Sequence, residues 1–251
     1  MRRVLVTAGA SGIGRHIVEA FLANGDVVYT CDIDAAALKA TAADLPGLTT
    51  SLCDIGDRTQ IEAMVADAAE QLGGIDVLVN NAGIAGPTAA VQDVEPDDWD
   101  RVLQVDLTGT FLVTKHAIPH LIRSGQGAII IMSSSAGRFG YPNRSPYAAA
   151  KWGLIGLMKT LAMELGPHNI RANAILPGSV AGDRIERVFE GRARVSGKSV
   201  DEEREIAMVN RSIKRLIDPK DIAMLAVYLA SDAAKMISGQ CFPIDGDAQH
   251  L

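Results

Sequence analysis

Seven short runs of mostly apolar residues recur along the chain, at 3–7, 27–31, 48–53, 76–80, 128–132, 171–175 and 240–244. Most are solid rather than alternating, as expected of strands buried on both faces. Between them, apolar residues repeat at helical spacing over 15–23, 35–43, 58–72, about 96–123, 147–166 and 219–230. Stop and start signals fit these bounds: Asn24-Gly25 and Gly73-Gly74 end helices, and Asp34 and Asp218 stand at N-cap positions. Strand and helix therefore alternate almost without interruption. That pattern predicts an α/β fold, a doubly wound parallel sheet of about seven strands with helices on both faces. No repeat or low-complexity linker divides residues 1–251, so a single domain is expected. The exception is 179–215, rich in Arg, Glu, Gly and Ser and too long for a plain connection. It is expected to carry short helices of its own and to act as a substrate-binding lid.

Composition narrows the function without naming it. Of 251 residues 48% are hydrophobic and 22% charged, which is ordinary for a globular chain with ample core material. A net charge of −6 gives no reason to expect nucleic acid or an anionic membrane as partner. The three cysteines, Cys31, Cys53 and Cys241, lie far apart and form no Cys-x-x-Cys. They fit reduced thiols better than a disulfide framework or a zinc site. His116 and His120 are four apart, but no third ligand is evident, so they read as helix surface and no metal site is expected. Met1-Arg2-Arg3 runs straight into Val4-Leu5-Val6, and no apolar run approaches membrane-spanning length. A soluble, cytoplasmic protein is the expectation.

Gly9, Gly12 and Gly14 lie between the first strand and the first helix, where a dinucleotide's pyrophosphate docks. Small residues there let backbone approach phosphate, and the helix start offers free N–H donors. A glycine cluster alone is weak evidence, but this one has strand, helix and second strand around it. Asp32 then follows Gly14 by 18 residues. Its carboxylate can accept both ribose hydroxyls of NAD and would repel a 2′-phosphate, and Ala10 and Ser11 supply no cation to attract one. NAD is expected over NADP.

Tyr147 and Lys151 are four residues apart, one above the other on a helix. A phenol ordinarily titrates near 10, and an ammonium beside it lowers that value. Such a tyrosine can exchange a proton with an alcohol or carbonyl oxygen. Taken alone, the pair more often means a packed ring and a solvated amine.

The whole set changes that balance. Thr7-Ala8-Gly9-Ala10-Ser11-Gly12-Ile13-Gly14, Asp54, Asn80-Asn81-Ala82-Gly83, Ser134, Tyr147/Lys151 and Pro177-Gly178 occur in this order over nearly the whole chain. In this the sequence resembles the single-domain short-chain dehydrogenase/reductases, a Rossmann-like family. The resemblance implies that Asp54 and Ile55 meet the adenine, and that Asn81, Ala82 and Gly83 line the ribose side. Pro177, Gly178 and Val180 would hold the nicotinamide, with Ser11, Ile13 and Ile33 completing the cofactor contacts. Ser134, thirteen residues before Tyr147, falls in the position of the catalytic serine that holds the substrate oxygen. Tyr147 would then be acid and base, and Lys151 would tune it and hold the nicotinamide ribose. Of the neighbours, one of Ser133 and Ser135 is expected to be structural and the other to reach the substrate. The resemblance also implies a homotetramer packed through residues 99–123 and 147–166.

Three departures from the family pattern stand out. Ala8 occupies the place of the usual first glycine, tolerable if its φ stays negative. Asp106 stands where the family has its fourth catalytic residue, an asparagine whose backbone carbonyl positions a relay water. Gly182 replaces a hydroxyl residue four positions after Pro-Gly. In the lid, Arg184, Arg187, Arg192 and Arg194 are expected in solvent or paired with Glu186 or Glu190, although one could bind a substrate carboxylate. The expected activity is NAD-dependent interconversion of a secondary alcohol and a carbonyl, on a small polyol, sugar acid or cyclic alcohol. The rivals are a 3-oxoacyl-thioester reductase, which Asp32 disfavours, and a non-catalytic NAD sensor, which has no need of Ser134, Tyr147 and Lys151 together. Substrate choice would lie in 85–93, 137–144 and the lid.

Overall fold

The computed structural model describes residues 1–250. Seven strands, β1 (Arg3–Thr7), β2 (Val27–Asp32), β3 (Thr49–Leu52), β4 (Val77–Asn80), β5 (Gly127–Met132), β6 (Ile170–Pro177) and β7 (Cys241–Ile244), form one sheet in the order β3-β2-β1-β4-β5-β6-β7. Every neighbouring pair is parallel. β1 therefore lies between β2 and β4, and the crevice above it is the switch point where ligands bind in such sheets. The fold is the Rossmann-like doubly wound α/β sheet expected from the alternation.

Alternate strand residues feed two cores, because successive side chains of a strand leave opposite faces. Leu5, Leu78 and Ile129 pack on one side with α3 (Arg58–Leu72), α5 (Thr110–Ser124) and α6 (Ser145–Leu165). Val4, Val6 and Ile130 pack on the other with α1 (Gly12–Ala23) and α9 (Pro219–Ala230). Helix limits follow the local chemistry. Asp34 accepts from the N–H groups of Ala36 and Ala37, 2.9 and 3.0 Å, at the start of α2 (Ala35–Asp44). Asp218 caps α9 through Lys220, and Gly73 closes α3 at φ 71°.

The helical region expected over residues 96–123 runs unbroken from Pro96 to Ser124, as α4 (Pro96–Leu103), a π-helical turn (Gln104–Gly109) that the sequence did not signal, and α5. Gly109 presses against the backbone and side chain of Ile55, so no side chain fits there. The widened turn rotates Asp106 inward, where it is fully buried. Residues 179–215 contain α7 (Asp183–Ser196) and α8 (Val200–Val209), the latter opened by a capping box between Ser199 and Glu202. Among the described residues, no helix is long and apolar enough to cross a membrane.

Candidate active site

The glycine turn leaves the C-terminal end of β1. Ala8 lies at φ 55°, in the left-handed region, so the expectation of negative φ there is corrected. The neighbouring geometry explains why. A Cβ on Gly9 would collide with Thr30 Oγ1, and one on Gly14 with the Ala8 carbonyl. The turn is pressed so close to β2 and to its own helix that Ala8 absorbs the bend. Asn81 locks it from β4: Nδ2 donates to the carbonyls of Thr7 and Ala8 at 3.1 and 3.0 Å. Thr7 Oγ1 accepts from the N–H groups of Asn81 and Ala82, both at 3.0 Å. Ser11 precedes α1 in extended conformation and makes no side-chain cap, leaving the first N–H groups of the helix available.

Asp32 ends β2 with its carboxylate turned to this crevice, accepting from the N–H groups of Ala10 and Asp34, each at 3.2 Å. Ile33 beside it is 64% exposed. Asp54 pairs with Arg101 at 3.0 Å and accepts from the Gly56 N–H at 2.7 Å, while Ile55 is buried beneath Gly109. Gly83 fills a narrow space, where a Cβ would stand 3.1 Å from Asp106 Oδ2 and 3.2 Å from Lys151 Nζ. Pro177 ends β6, Gly178 lies tight against Asp245, and Val180 bridges to Ile217. Ser11, Gly12, Ile13, Gly14 and the other cofactor candidates thus border the C-terminal edge of the sheet around β1.

The chemical residues meet at the same edge. Ser134 follows β5 and its Oγ accepts from the Ala136 N–H at 3.2 Å. Tyr147 and Lys151 share one face of α6, with Nζ 5.4 Å from the centre of the phenol ring. Lys151 Nζ donates to the Met132 carbonyl at 3.2 Å and lies 3.2 Å from Asp106 Oδ2. Asp106 Oδ1 accepts from the Ile84 N–H at 2.7 Å, and its backbone carbonyl accepts from Thr110 Oγ1 at 2.9 Å. Burial alone would raise the Tyr147 pKa. The Lys151 and Arg184 cations and the Ser134 hydroxyl outweigh that effect and the Asp106 carboxylate, so the phenol sits below its ordinary value.

Both serines flanking Ser134 are structural, which corrects the expectation that one reaches the substrate. Ser133 Oγ donates to the Lys151 carbonyl at 2.9 Å, and Ser135 Oγ is buried against Pro177 O and Asp245 Oδ2, 3.3 Å from each. Glu186 does not pair with Arg184, Arg187, Arg192 or Arg194, as was expected, but with Arg204 on α8 at 2.6 Å. Arg184 turns inward instead, donating to the Gly83 carbonyl at 3.0 Å with its guanidinium 5.9 Å from the Tyr147 ring centre. Thr7 opens the fingerprint read from the sequence, whereas Tyr141, Arg144 and Arg211, which also lie at this site, carried no individual signal. Among the described residues no group of three His, Cys, Asp or Glu could hold a metal.

Comparison with known proteins shows the family. Residues 7–247 match the family model described as enoyl-(acyl carrier protein) reductase. The chain is 35% identical over 246 residues to the 3-oxoacyl-[acyl-carrier-protein] reductase of Thermotoga maritima, covering 96% of this chain and 95% of that one. It is 34% identical to the D-beta-hydroxybutyrate dehydrogenase of Cupriavidus necator, covering 98% and 96%. NAD+-bound xylitol dehydrogenase superposes with a TM-score of 0.94 at 30% identity, over 97% of each chain. An actinorhodin polyketide ketoreductase with NADPH gives 0.93 at 31%, over 97% and 95%. The chain belongs to the short-chain dehydrogenase/reductase family, and with it to the oxidoreductases.

Proposed function

We propose that this protein interconverts a secondary alcohol and a carbonyl compound with NAD(H), using Tyr147 as the acid and base. The observation that carries the reading is the Tyr147 phenol, held below its ordinary pKa by Lys151, Arg184 and Ser134 beside the glycine turn. The residues around that turn fit a dinucleotide: uncapped N–H groups open α1, Gly12 lies at φ 52°, and no side chain fits at Gly9 or Gly14. Asp32 suits the ribose hydroxyls of NAD and opposes the phosphate of NADP. When bound, the cofactor supplies the hydride donor or acceptor.

The chain's own residues then have separate tasks. Ser134 Oγ orients the substrate oxygen. Tyr147 Oη takes the alcohol proton in oxidation and returns one in reduction. Lys151, fixed by Met132 O and Asp106, holds positive charge beside the phenol and keeps its proton easy to lose. Segment 179–215 is the lid: α7 brings Arg184 over Tyr147 and excludes water from that side. The substrate class proposed is a small polyol, sugar acid or cyclic alcohol. Reduction of a 3-oxoacyl thioester is a second reading, supported by the Thermotoga relative and opposed by Asp32.

Self-association is part of this proposal. Phe111 on α5 and Trp152 on α6 stand 48% and 51% exposed, and the space over Gly156 is open, as a helix-to-helix contact in a homotetramer requires. Gly153 serves the core instead, against Leu107. The deciding experiment offers purified protein NAD+ or NADP+ with polyols, hydroxy acids and cyclic alcohols, beside the Tyr147→Phe variant. Turnover with NAD+ that vanishes in the variant is the expected result. Turnover unchanged by the substitution would refute the catalytic reading, and NADH binding with no turnover on any class would favour a sensor.

A further inference from the structure

Four guanidinium groups converge beside Tyr147, more cations than proton transfer requires. Arg144 holds its guanidinium carbon 5.3 Å from the ring centres of both Tyr141 and Tyr147. Arg184 faces Tyr147 from the first turn of α7, and Arg192 lies 5.1 Å from the Tyr141 ring centre. Arg211, just past α8, lies within charge range of Asp245, Arg192 and Tyr141. The two tyrosine rings stand edge to face with centres 6.4 Å apart, so Arg144, Arg184 and Arg192 border one small space.

Two of the four are nearly sealed: Arg144 is 3% exposed and Arg211 6%. Arg144 donates one nitrogen to the Ala85 carbonyl and Arg211 one to Ser179 Oγ, each at 2.6 Å. Among the described residues, Arg144 Nε and Arg211 Nη1 are buried with no hydrogen-bond partner. A cationic N–H removed from water and left unpaired is costly, and a site tolerates it where a ligand completes the bond. Elsewhere the chain treats such residues differently. Arg2 and Arg3 each have their own carboxylate, Asp26 and Asp76, at 2.6 Å. None of the four arginines here has an ion-pair partner among the described residues. Of the two buried acids nearby, Asp106 is matched to Lys151, and Asp245, whose charge reaches Arg211 without forming an ion pair, accepts from Ser135 and the Asp247 N–H and lies 3.9 Å from Arg138. The cluster is thus a concentrated positive wall with unfilled donors at the mouth of the site.

We propose that the substrate carries a carboxylate, held by Arg144 and Arg192 while its carbinol or carbonyl carbon stands at Tyr147. The inference rests on the redox reading above and narrows its substrate to hydroxy and oxo acids. A planar guanidinium matches a carboxylate with two parallel hydrogen bonds. Arg184 and Arg211 complete the field. The short span between the two tyrosine rings places acid and alcohol on one short chain or a single ring.

Matched probes test this with the purified full-length chain and NAD+. They are 3-hydroxypentanoate against 3-hydroxypentanamide, 3-hydroxycyclohexanecarboxylate against its amide, and glycerol 3-phosphate against glycerol. The carboxylates should exceed their amides in kcat/KM by at least about tenfold, the worth of one charged hydrogen bond. In Arg192→Gln the acid should lose about tenfold more kcat/KM than the amide, the difference falling on KM. Equal turnover of acid and amide, or an equal loss for both in the variant, overturns the carboxylate proposal and leaves the redox reading standing. Preference for the phosphate ester overturns it in favour of a different oxyanion. If no probe turns over, calorimetry of the NADH-mixed protein with cyclohexanecarboxylate and cyclohexanecarboxamide decides. Binding of the acid alone sustains the pocket and counts against the redox reading, and no preference overturns the pocket.

Discussion

Asp106 Oδ2 lies 3.2 Å from Lys151 Nζ, and both side chains are sealed from solvent. The ammonium beside the catalytic phenol is therefore itself matched by a carboxylate. Among the described residues Oδ2 has no hydrogen-bond partner, so the pairing is Coulombic, while Oδ1 is committed to the Ile84 N–H. The π-helical turn is what carries Asp106 into this position.

Asp106→Asn should fold and remain active. An amide oxygen can keep the Ile84 bond, and Lys151 keeps the Met132 carbonyl. The Asp106 carboxylate raises the Tyr147 pKa, so its removal lowers it. Alcohol oxidation needs the phenolate, so its acid limb should move to lower pH in a kcat/KM profile. An inactive variant with intact circular dichroism would show that this slot has been misassigned. Both substitutions take the carboxylate from the buried ammonium, but Asp106→Ala also strands the Ile84 N–H and should cost about 1–3 kcal/mol more than Asp106→Asn in urea unfolding.

Tyr147→Phe should lower kcat by about 10²–10⁴-fold, the usual contribution of a positioned acid or base. Affinity for NADH, followed by fluorescence titration, should hold. In the unsubstituted protein, oxidation should rise as pH passes upward through the lowered Tyr147 pKa, and carbonyl reduction should fall through it. A profile flat through the range below 10 would count against the assignment.

Asp32→Asn tests the cofactor. The carboxylate that accepts from Ala10 and Asp34 is the group that opposes a 2′-phosphate. Neutralising it should raise kcat/KM with NADP+ and lower it with NAD+, each by about tenfold for one charged contact. Unchanged ratios would mean that selectivity lies elsewhere.

Legibility in the sequence followed the range of the interaction. The sheet was readable because its strands are solid apolar runs, and Asp34 and Asp218 because a cap acts within three residues. Tyr147 and Lys151 were readable because helical spacing alone brings them together. The π-helical turn at residues 104–109 was not, since Gly109 meets Ile55 from a different part of the chain. Nor was the arginine wall, because Arg144 and Arg211 meet at Tyr141 only through tertiary folding. Glu186 misled for the same reason: an acid two residues from Arg184 chose Arg204, on another helix.

Ala8→Gly should stabilise the protein. At φ 55° an alanine costs about 1–2 kcal/mol that glycine does not, partly offset by the freer unfolded chain. A net gain of about 1 kcal/mol raises Tm by about 2–4 °C in a chain of this size. Gly9→Ala should do the reverse and weaken NADH binding, because its methyl collides with Thr30. Calorimetric scans of both variants check this, and a lower Tm for Ala8→Gly would contradict the strain argument.

The Arg3–Asp76 pair should make stability depend on acid in a defined window. Burial raises the Asp76 pKa, but the Arg3 guanidinium, the Ser124 hydroxyl and the Arg3 N–H outweigh it and hold the carboxyl at about 2. These bonds join the start of β1 to the segment entering β4, with Arg3 N at 2.8 Å and Ser124 Oγ at 2.6 Å. Asp76 is depressed below the unfolded value of 3.8, so its contribution is full above about pH 4 and disappears as pH falls through about 2. The difference corresponds to about 2 kcal/mol. Urea unfolding of Asp76→Asn at pH 7 should show a loss of about that size, narrowing steadily between pH 4 and 2. A gap of equal size at pH 7 and pH 2.5 would show that the pair contributes through packing and neutral hydrogen bonds rather than charge.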